Sequence, residues 1–367
     1  MSDIVERASR FAATHIRTRT DLNRKGHFPR DLWLELGQAG LLGLLLPPEF
    51  GGAGLRRRDQ IAVAEALVRH GRNLGIVSAW QSQTTLGSWL IARLGNEAQR
   101  RTYLPRLVTG ETIVSVAISE LGAGAHPKHL TTRAERTAEG WSISGEKAYV
   151  TNGPVADLFV VLAITSVEGG RKRYSAFLVP RATPGLSFTE AGAVDYLRPA
   201  LHCGLKLEGC IVPESAILGP EGEAYPIVAQ PLRTAEDLVG LGTGLGAMAA
   251  AFAFIAEEAT GEPEDSALEE IGLMAAIAAG ARTIVFAAVE AYEGEGGEKA
   301  AIPLLMAGRE RIASFQSRLP ELKSKLVGEA SEAFELLVRD MGKLGSAAGY
   351  VQRIRLRNLG REALHAG

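Results

Sequence analysis

The stretch TAEDLVGLGTGLGAM, residues 234–248, sets the Glu236 carboxylate just ahead of four glycines at alternate positions. At 3.6 residues per turn Glu236, Gly240, Thr243 and Gly244 fall on one helix face, so the carboxylate projects beside a surface nearly bare of side chains. Gly240, Gly242, Gly244 and Gly246 each cost roughly 0.5–1 kcal/mol relative to Ala inside a helix. Their concentration predicts a ligand or a neighbouring helix at near-contact distance. A carboxylate desolvated there would have a raised pKa, which suits a general base. Glu236 followed by Asp237 equally fits an acidic first turn favoured by the helix dipole. A second group lies upstream. Ser119 and Thr151 sit in segments punctuated by Gly, Pro and Asn, where strand hydroxyls and main-chain N–H groups could hold the polar edge of a flat ligand, with Tyr149 as an aromatic wall. In isolation such residues more often finish strand ends or fill a core.

Other patterns carry less. GTGLGA, residues 242–247, fits the dinucleotide fingerprint in form, but the charged RTAEDLV precedes it where an apolar strand is required. His126 and His129 form an HPKH pair broken by Pro127 with no third ligand near in sequence, so solvated loop histidines are expected and no metal site. Cys203 and Cys210 are the two cysteines. They make neither a disulfide framework nor a zinc set, and a reducing, cytoplasmic compartment is expected.

The elements that must position these groups follow from periodicity. Up to about Glu111, apolar residues recur at three and four, as in Leu32, Leu36 and Ala39, which predicts amphipathic helices. Between them GLLGLLLPPEFGGAGL, residues 40–55, reads as an ordered loop with buried leucines, because its prolines and glycines break any helix. From Thr112 the texture changes to seven short β-type runs separated by turn residues, which predicts a compact barrel or sandwich. After Gly219 the chain is rich in Ala, Leu and Glu, as in a helical bundle. The expected class is α+β in three domains: an N-terminal all-helical domain over 1–112, a middle β-barrel over 113–221 and a C-terminal four-helix bundle over 222–367.

Composition narrows the function classes. The 367 residues carry 40 Lys+Arg against 42 Asp+Glu, a formal charge of −2, and 46% are hydrophobic. That balance lacks the basic footprint of a nucleic-acid binder. The N-terminal segment carries charges every few residues, unlike a signal peptide or a membrane span, so a soluble protein is expected.

AISELGAGAHPKHLTTRAE (117–135) and SGEKAYVTNGPVADLFVVLA (144–163), with the loop 40–55 and CIVPESAILG (210–219), resemble four segments of the acyl-CoA dehydrogenase family in the same order. The resemblance implies FAD held by Ile118, Ser119, Tyr149 and Thr151, with Gly345 matching in GKLGS. It implies α,β-dehydrogenation of an acyl thioester, with hydride passing to FAD and electrons to an electron-transfer flavoprotein. The family's more common C-terminal glutamate falls on Ala366, whereas isovaleryl-CoA and long-chain members place it where Glu236 stands. Glu236 is therefore the implied base, with Ala125, Thr234 and Gly240 on the substrate side.

Departures from the pattern widen the alternatives. ATGEPEDSALEE (259–270) replaces the Arg-x-x-Phe-Gly motif, Asp237 stands where relatives usually carry Arg, and Ala125-His126 stands where they carry Ser-Asp. Members normally continue beyond a position like Gly367. These differences fit a substrate on a carrier protein instead of CoA, or a non-catalytic partner subunit of a hetero-oligomer. A flavin monooxygenase on the same fold is a further alternative, with His365 at a position where such enzymes often carry His. A homo-oligomer, dimer or tetramer, is otherwise implied.

Overall fold

The computed structural model describes residues 3–346 and 349–365. Six helices come first: α1 (Asp3–Phe11), α2 (Arg30–Gln38), α3 (Arg57–Gly71), α4 (Leu74–Gln81), α5 (Trp89–Leu94) and α6 (Glu97–Val108), with a π-helical segment, Ser82–Ser88, joining α4 to α5. Eight strands follow: β1 (Val114–Ala117), β2 (Arg133–Thr137), β3 (Gly140–Thr151), β4 (Leu158–Glu168), β5 (Arg171–Pro180), β6 (Leu186–Thr189), β7 (His202–Val212) and β8 (Ile217–Leu218). The chain then continues through α7 (Gln230–Glu258), α8 (Asp265–Glu293), α9 (Gly297–Leu326), α10 (Glu332–Ser346) and α11 (Gly349–His365). The helix, strand, helix order is the one the periodicity predicts. Among the described residues the C-terminal region is helical, as the sequence predicts.

The chain folds as two compact units that cut across this order. One comprises residues 20–56 and 78–236, the other residues 1–19, 57–77 and 237–367. The boundary between them falls inside α7, between Glu236 and Asp237.

In the strand-bearing unit, the seven β-type runs and the short β8 form one eight-stranded sheet, ordered β6-β7-β3-β2-β4-β5-β8 with β1 added alongside β4. Strand β4 is buried at every position from Leu158 to Ile164, as its unbroken apolar run requires of a strand covered on both faces. Leu104 and Leu107 of α6 pack with Val160, Leu162 and Leu178 of the sheet in one core. Helix α6 starts on a capping box in which Asn96 and Gln99 bond each other's main chain, satisfying donors left open at a helix N-terminus. Gln99 Nε2 also donates to the carbonyls of Ser215 and Ile217. The loop over 40–55 buries Leu41, Leu42, Leu44 and Leu46, and Trp80 Nε1 donates to the Leu41 carbonyl at 2.7 Å.

In the other unit, the glycines of α7 meet helices. A Cβ at Gly242 would lie 2.8 Å from the Ile61 carbonyl oxygen, and one at Gly246 would lie 2.4 Å from that of Glu65, so α3 runs almost against the α7 backbone. Gly244 meets Ile312 of α9 in the same way. Asp237 is buried and accepts from Gln352 Nε2 at 3.2 Å, with Arg309 Nη1 at 3.7 Å and an ion pair to Arg355 Nη1. The acidic residue that stands where relatives carry Arg is thus answered by two arginines from α9 and α11. Helix α7 continues unbroken through 242–247, so GTGLGA forms no strand-to-helix phosphate turn. Helix α8 is long and apolar, and in its most apolar window only 28% of residues are buried.

Candidate functional site

Strand β3 ends in a distorted turn. Its pairing with β7 shifts register between Lys147 and Val150, and Tyr149 and Asn152 adopt φ of +60° and +63°. Left-handed backbone is unfavourable for a side chain as large as Tyr and persists only where the surroundings enforce it. A bulge of this kind re-aims side chains. Here it turns Tyr149 outward to 50% exposure while Lys147, Ala148 and Val150 around it stay buried.

The end of β1 runs beside this turn. Ala148 N–H donates to the Ser119 carbonyl at 2.8 Å, and Ser115 Oγ donates to the Thr151 carbonyl. Ile118, Ser119, Tyr149 and Thr151 are thereby brought together. Ser119 and Thr151 are partly exposed. Among the described residues, the hydroxyls of Ser119, Thr151 and Tyr149 have no protein partner. A patch offering three open hydroxyls and one exposed aromatic face suits a flat ligand with a polar rim.

Three hydrogen bonds, at Ala79, Gln81 and Ser82, hang the neighbouring elements from α4 and its π-helical extension. Asn152 Nδ2 donates to the Ala79 carbonyl at 2.9 Å, Ser82 Oγ to the Thr151 carbonyl at 3.4 Å, and Gln81 Nε2 to the Glu236 carbonyl at 2.9 Å. Gln81 and Ser82 are adjacent, so the first turns of α7 and the end of β3 are held by one turn of helix. Gln83 extends the tie: its amide donates to the carbonyls of Leu107 and Thr112 and accepts from Val114 N–H. The π-helical register widens this stretch, a distortion common at functional sites.

The Glu236 carboxylate differs from its expected setting. It was expected to be desolvated, yet its side chain is 44% exposed and lies 3.2 Å from Arg233 Nη1. The carboxylate is thus exposed and cation-paired instead of desolvated. Gly240, one turn on, is the glycine of the four whose added Cβ would meet nothing within 4 Å. Thr234 is buried, and Ala125 lies in an exposed loop where its carbonyl accepts from Tyr225 OH at 3.4 Å. Gly345 belongs to α10, but its surroundings, like Ala366, lie outside the described residues. The rings of His126 and His129 lie with centroids 4.8 Å apart, tilted by 37°.

Residues 2–111 match the model of the acyl-CoA dehydrogenase N-terminal domain, and residues 115–210 match that of the acyl-CoA dehydrogenase middle domain. The chain belongs to the acyl-CoA dehydrogenase family. A mitochondrial isovaleryl-CoA dehydrogenase of Pongo abelii is 32% identical over 247 residues, covering 66% of this chain and 58% of that relative. The matched stretch therefore spans little more than half of that relative's length. In fold, the chain is similar to the butyryl-CoA dehydrogenase of Megasphaera elsdenii, with a TM-score of 0.87 and 22% identity over 99% of this chain and 97% of the other. It is also similar to a glutaryl-CoA dehydrogenase of Mycobacterium smegmatis solved with FADH2, with a TM-score of 0.85 and 22% identity over 100% of this chain and 94% of the other. The middle-domain match covers the β1 and β3 ends, and the N-terminal match covers Gln81, Ser82 and Gln83.

The residues that sequence reasoning missed are the ones that assemble the patch. Gln81, Ser82 and Gln83 lie in SQTT-type polar sequence inside an otherwise apolar helical stretch, and all of Ser82, Gln83, Thr84 and Thr85 are buried. A polar run at helical core positions was the available signal, since buried polar side chains must be bonded to something.

Proposed function

We propose that the protein is a flavin-dependent acyl-thioester dehydrogenase with Glu236 as the base. The observation that carries this reading is the Gln81–Ser82 tie, which holds the backbone of Glu236 and that of Thr151 from adjacent residues. That tie supports a Glu236 carboxylate carried close to the β3 end, where the hydroxyls of Ser119, Thr151 and Tyr149 would meet the ligand.

FAD, when bound, supplies the acceptor for the β-hydride of the acyl group. Ser119, Thr151 and the main chain at Ile118 would hold its polar edge, and the Tyr149 ring would cover a face. Glu236 takes the α-proton of the thioester. Arg233 lies beside the carboxylate, and an apolar acyl chain entering beside Gly240 would exclude water from it. The bare Gly240 face leaves room for that chain to pass close to the helix backbone. Tight thioester fit then orients the Cα–H bond toward the carboxylate, the contribution of a positioned base.

Electrons pass onward to an electron-transfer flavoprotein, the acceptor that the family resemblance implies. The loop at Ala125, where relatives carry Ser-Asp, is open at the surface, which supports a carrier-protein thioester as an alternative to CoA. The exposed apolar face of α8 supports assembly into a homo-oligomer, since isolated apolar surface of that extent marks interfaces. The buried free thiols of Cys203 and Cys210 support a reducing, cytoplasmic setting. The visible spectrum of the purified protein with added FAD, followed by dye reduction with acyl-CoA and with acyl-carrier thioesters, tests the reading. A colourless protein that takes up no FAD contradicts it.

A further inference from the structure

Beneath the patch lies a fully buried ion pair. The Lys147 side chain is 0% exposed, and its Nζ donates to Glu120 Oε1 at 2.9 Å and to the Ile118 carbonyl at 3.1 Å. The buried Glu120 carboxylate accepts four more bonds. Its Oε2 takes the Thr131 N–H at 2.7 Å and hydroxyl at 2.8 Å, and its Oε1 takes the Thr132 N–H at 3.0 Å and hydroxyl at 2.7 Å. Burial pushes this carboxyl up, but Lys147 and the Thr132 donors more than reverse that and hold it down at about 2. Burial in turn draws the Lys147 ammonium down to about 8 against the pull of Glu120.

Stability alone gives no reason for such a pair, because apolar residues of similar volume commonly serve as well. What an ion pair adds is direction. Lys147 sits two residues before Tyr149, at the start of the register shift, and grips the carbonyl of Ile118, one residue before Ser119. Glu120, one residue after Ser119, is anchored to 131–132. The two segments that carry the open hydroxyls are thus clamped on both sides of Ser119, and Ala148 N–H bonds its carbonyl between the clamps. A one-residue slip of β3 would turn Tyr149 inward.

We propose that the buried Lys147–Glu120 pair is the positioning element of the cofactor edge, fixing the main chain of 118–120 against 147–151 so that Ser119, Tyr149 and Thr151 face outward together. The inference rests on the flavin reading above for what that edge receives, and on geometry alone for the clamp itself. Lys147 and Glu120 act through their neighbours.

The experiment replaces both partners at once, Lys147→Met with Glu120→Gln, in the full chain, so that no unpaired charge is left buried. Lys147→Arg serves as the conservative control. Amide hydrogen exchange is followed over 118–120 and 147–152, with β4 and β5 as the internal reference, and FAD affinity is measured by titration of the apoprotein. Expected is a protein that melts cooperatively with β4 and β5 protected as in the wild type, faster exchange confined to the two edge segments, and FAD binding weaker by about tenfold, the loss of one charge-strength hydrogen bond. Lys147→Arg should retain protection. Unchanged protection at 118–120 and 147–152, or unchanged FAD affinity beside a flavin-binding wild type, overturns the positioning role. Lost edge protection in a protein whose wild type takes up no FAD supports the clamp and overturns the flavin reading instead.

Discussion

Gln81 Nε2 donates to the main-chain carbonyl of Glu236 at 2.9 Å, and this bond places the candidate base relative to the β3 end that Ser82 holds next door. The bond reaches backbone, so it locates the helix turn and leaves the carboxylate to swing between Arg233 and a substrate. Gln81→Leu should cost about 0.5–1.5 kcal/mol of stability, as for one lost hydrogen bond. It should lower kcat by a larger factor, roughly tenfold or more, because small displacements of a reacting group are expensive. Thermal melts beside steady-state kinetics give the comparison. A kcat equal to wild type would mean that the tie does not set the base.

The four glycines of α7 separate into two kinds. Gly246→Ala would drive a Cβ to 2.4 Å from the Glu65 carbonyl oxygen, a clash that overpacking series place at about 1–3 kcal/mol of lost stability. Gly240→Ala meets nothing within 4 Å and should leave stability unchanged or raise it by about 0.5–1 kcal/mol through helix propensity. If an acyl chain passes that face, Gly240→Ala raises KM while melting no lower than wild type. Denaturant midpoints and KM values for the two variants check both halves.

Glu120 makes the folded state sensitive to acid. Its carboxyl is held at about 2 in the fold against an ordinary value of 4.5, so the unfolded chain binds the proton first. Its contribution is fully present above about pH 4.5 and is lost as pH falls toward 2, at a slope of up to about 1.4 kcal/mol per pH unit. Urea midpoints between pH 5 and 2.5 should fall less steeply in the variant carrying Lys147→Met and Glu120→Gln than in wild type. Parallel slopes would show that the carboxylate is not charged in the fold.

Asp237 is the buried counterpart in the other unit, with Arg355, Arg309 and Gln352 around it. Asp237→Ala leaves the Arg355 guanidinium buried without its nearest carboxylate, a loss of about 3–5 kcal/mol by the behaviour of broken buried pairs. Chemical denaturation measures it, and a loss below about 1 kcal/mol, the range of a surface pair, would show that the arginines are already satisfied elsewhere.

Much of this was legible from residue order. The β-type runs were visible because short alternating segments ended in Gly, Pro and Asn, and β4 stood out as an unbroken apolar run. The cluster of Ile118, Ser119, Tyr149 and Thr151 followed from motif likeness, and the structure places those residues side by side. The setting of Glu236 was not legible. Helical spacing gave its face but not the Arg233 pairing, since a residue three positions away competes with solvent and substrate for the same carboxylate. The glycine stripe foretold close approach without saying by what, and α3 and α9 account for three of the four. Lys147 and Glu120 lie within 144–163 and 117–135, yet a charged residue on or just beyond a strand reads as solvent-facing by default. Only the fold shows that each is the other's partner. The division into two units escaped detection as well, because 57–77 joins distant sequence through packing that periodicity cannot report.

Glu236→Gln tests the central claim most directly, with the full-length variant loaded with FAD and α-proton exchange of a saturated acyl thioester followed in deuterated buffer by NMR. The amide keeps the size and the backbone tie to Gln81 but cannot accept the proton. Exchange should fall by about 10²–10⁴-fold, the range of a positioned general base, while FAD affinity and melting temperature stay at wild-type values. Exchange at the wild-type rate in a variant that binds FAD normally would contradict the account and place the base elsewhere.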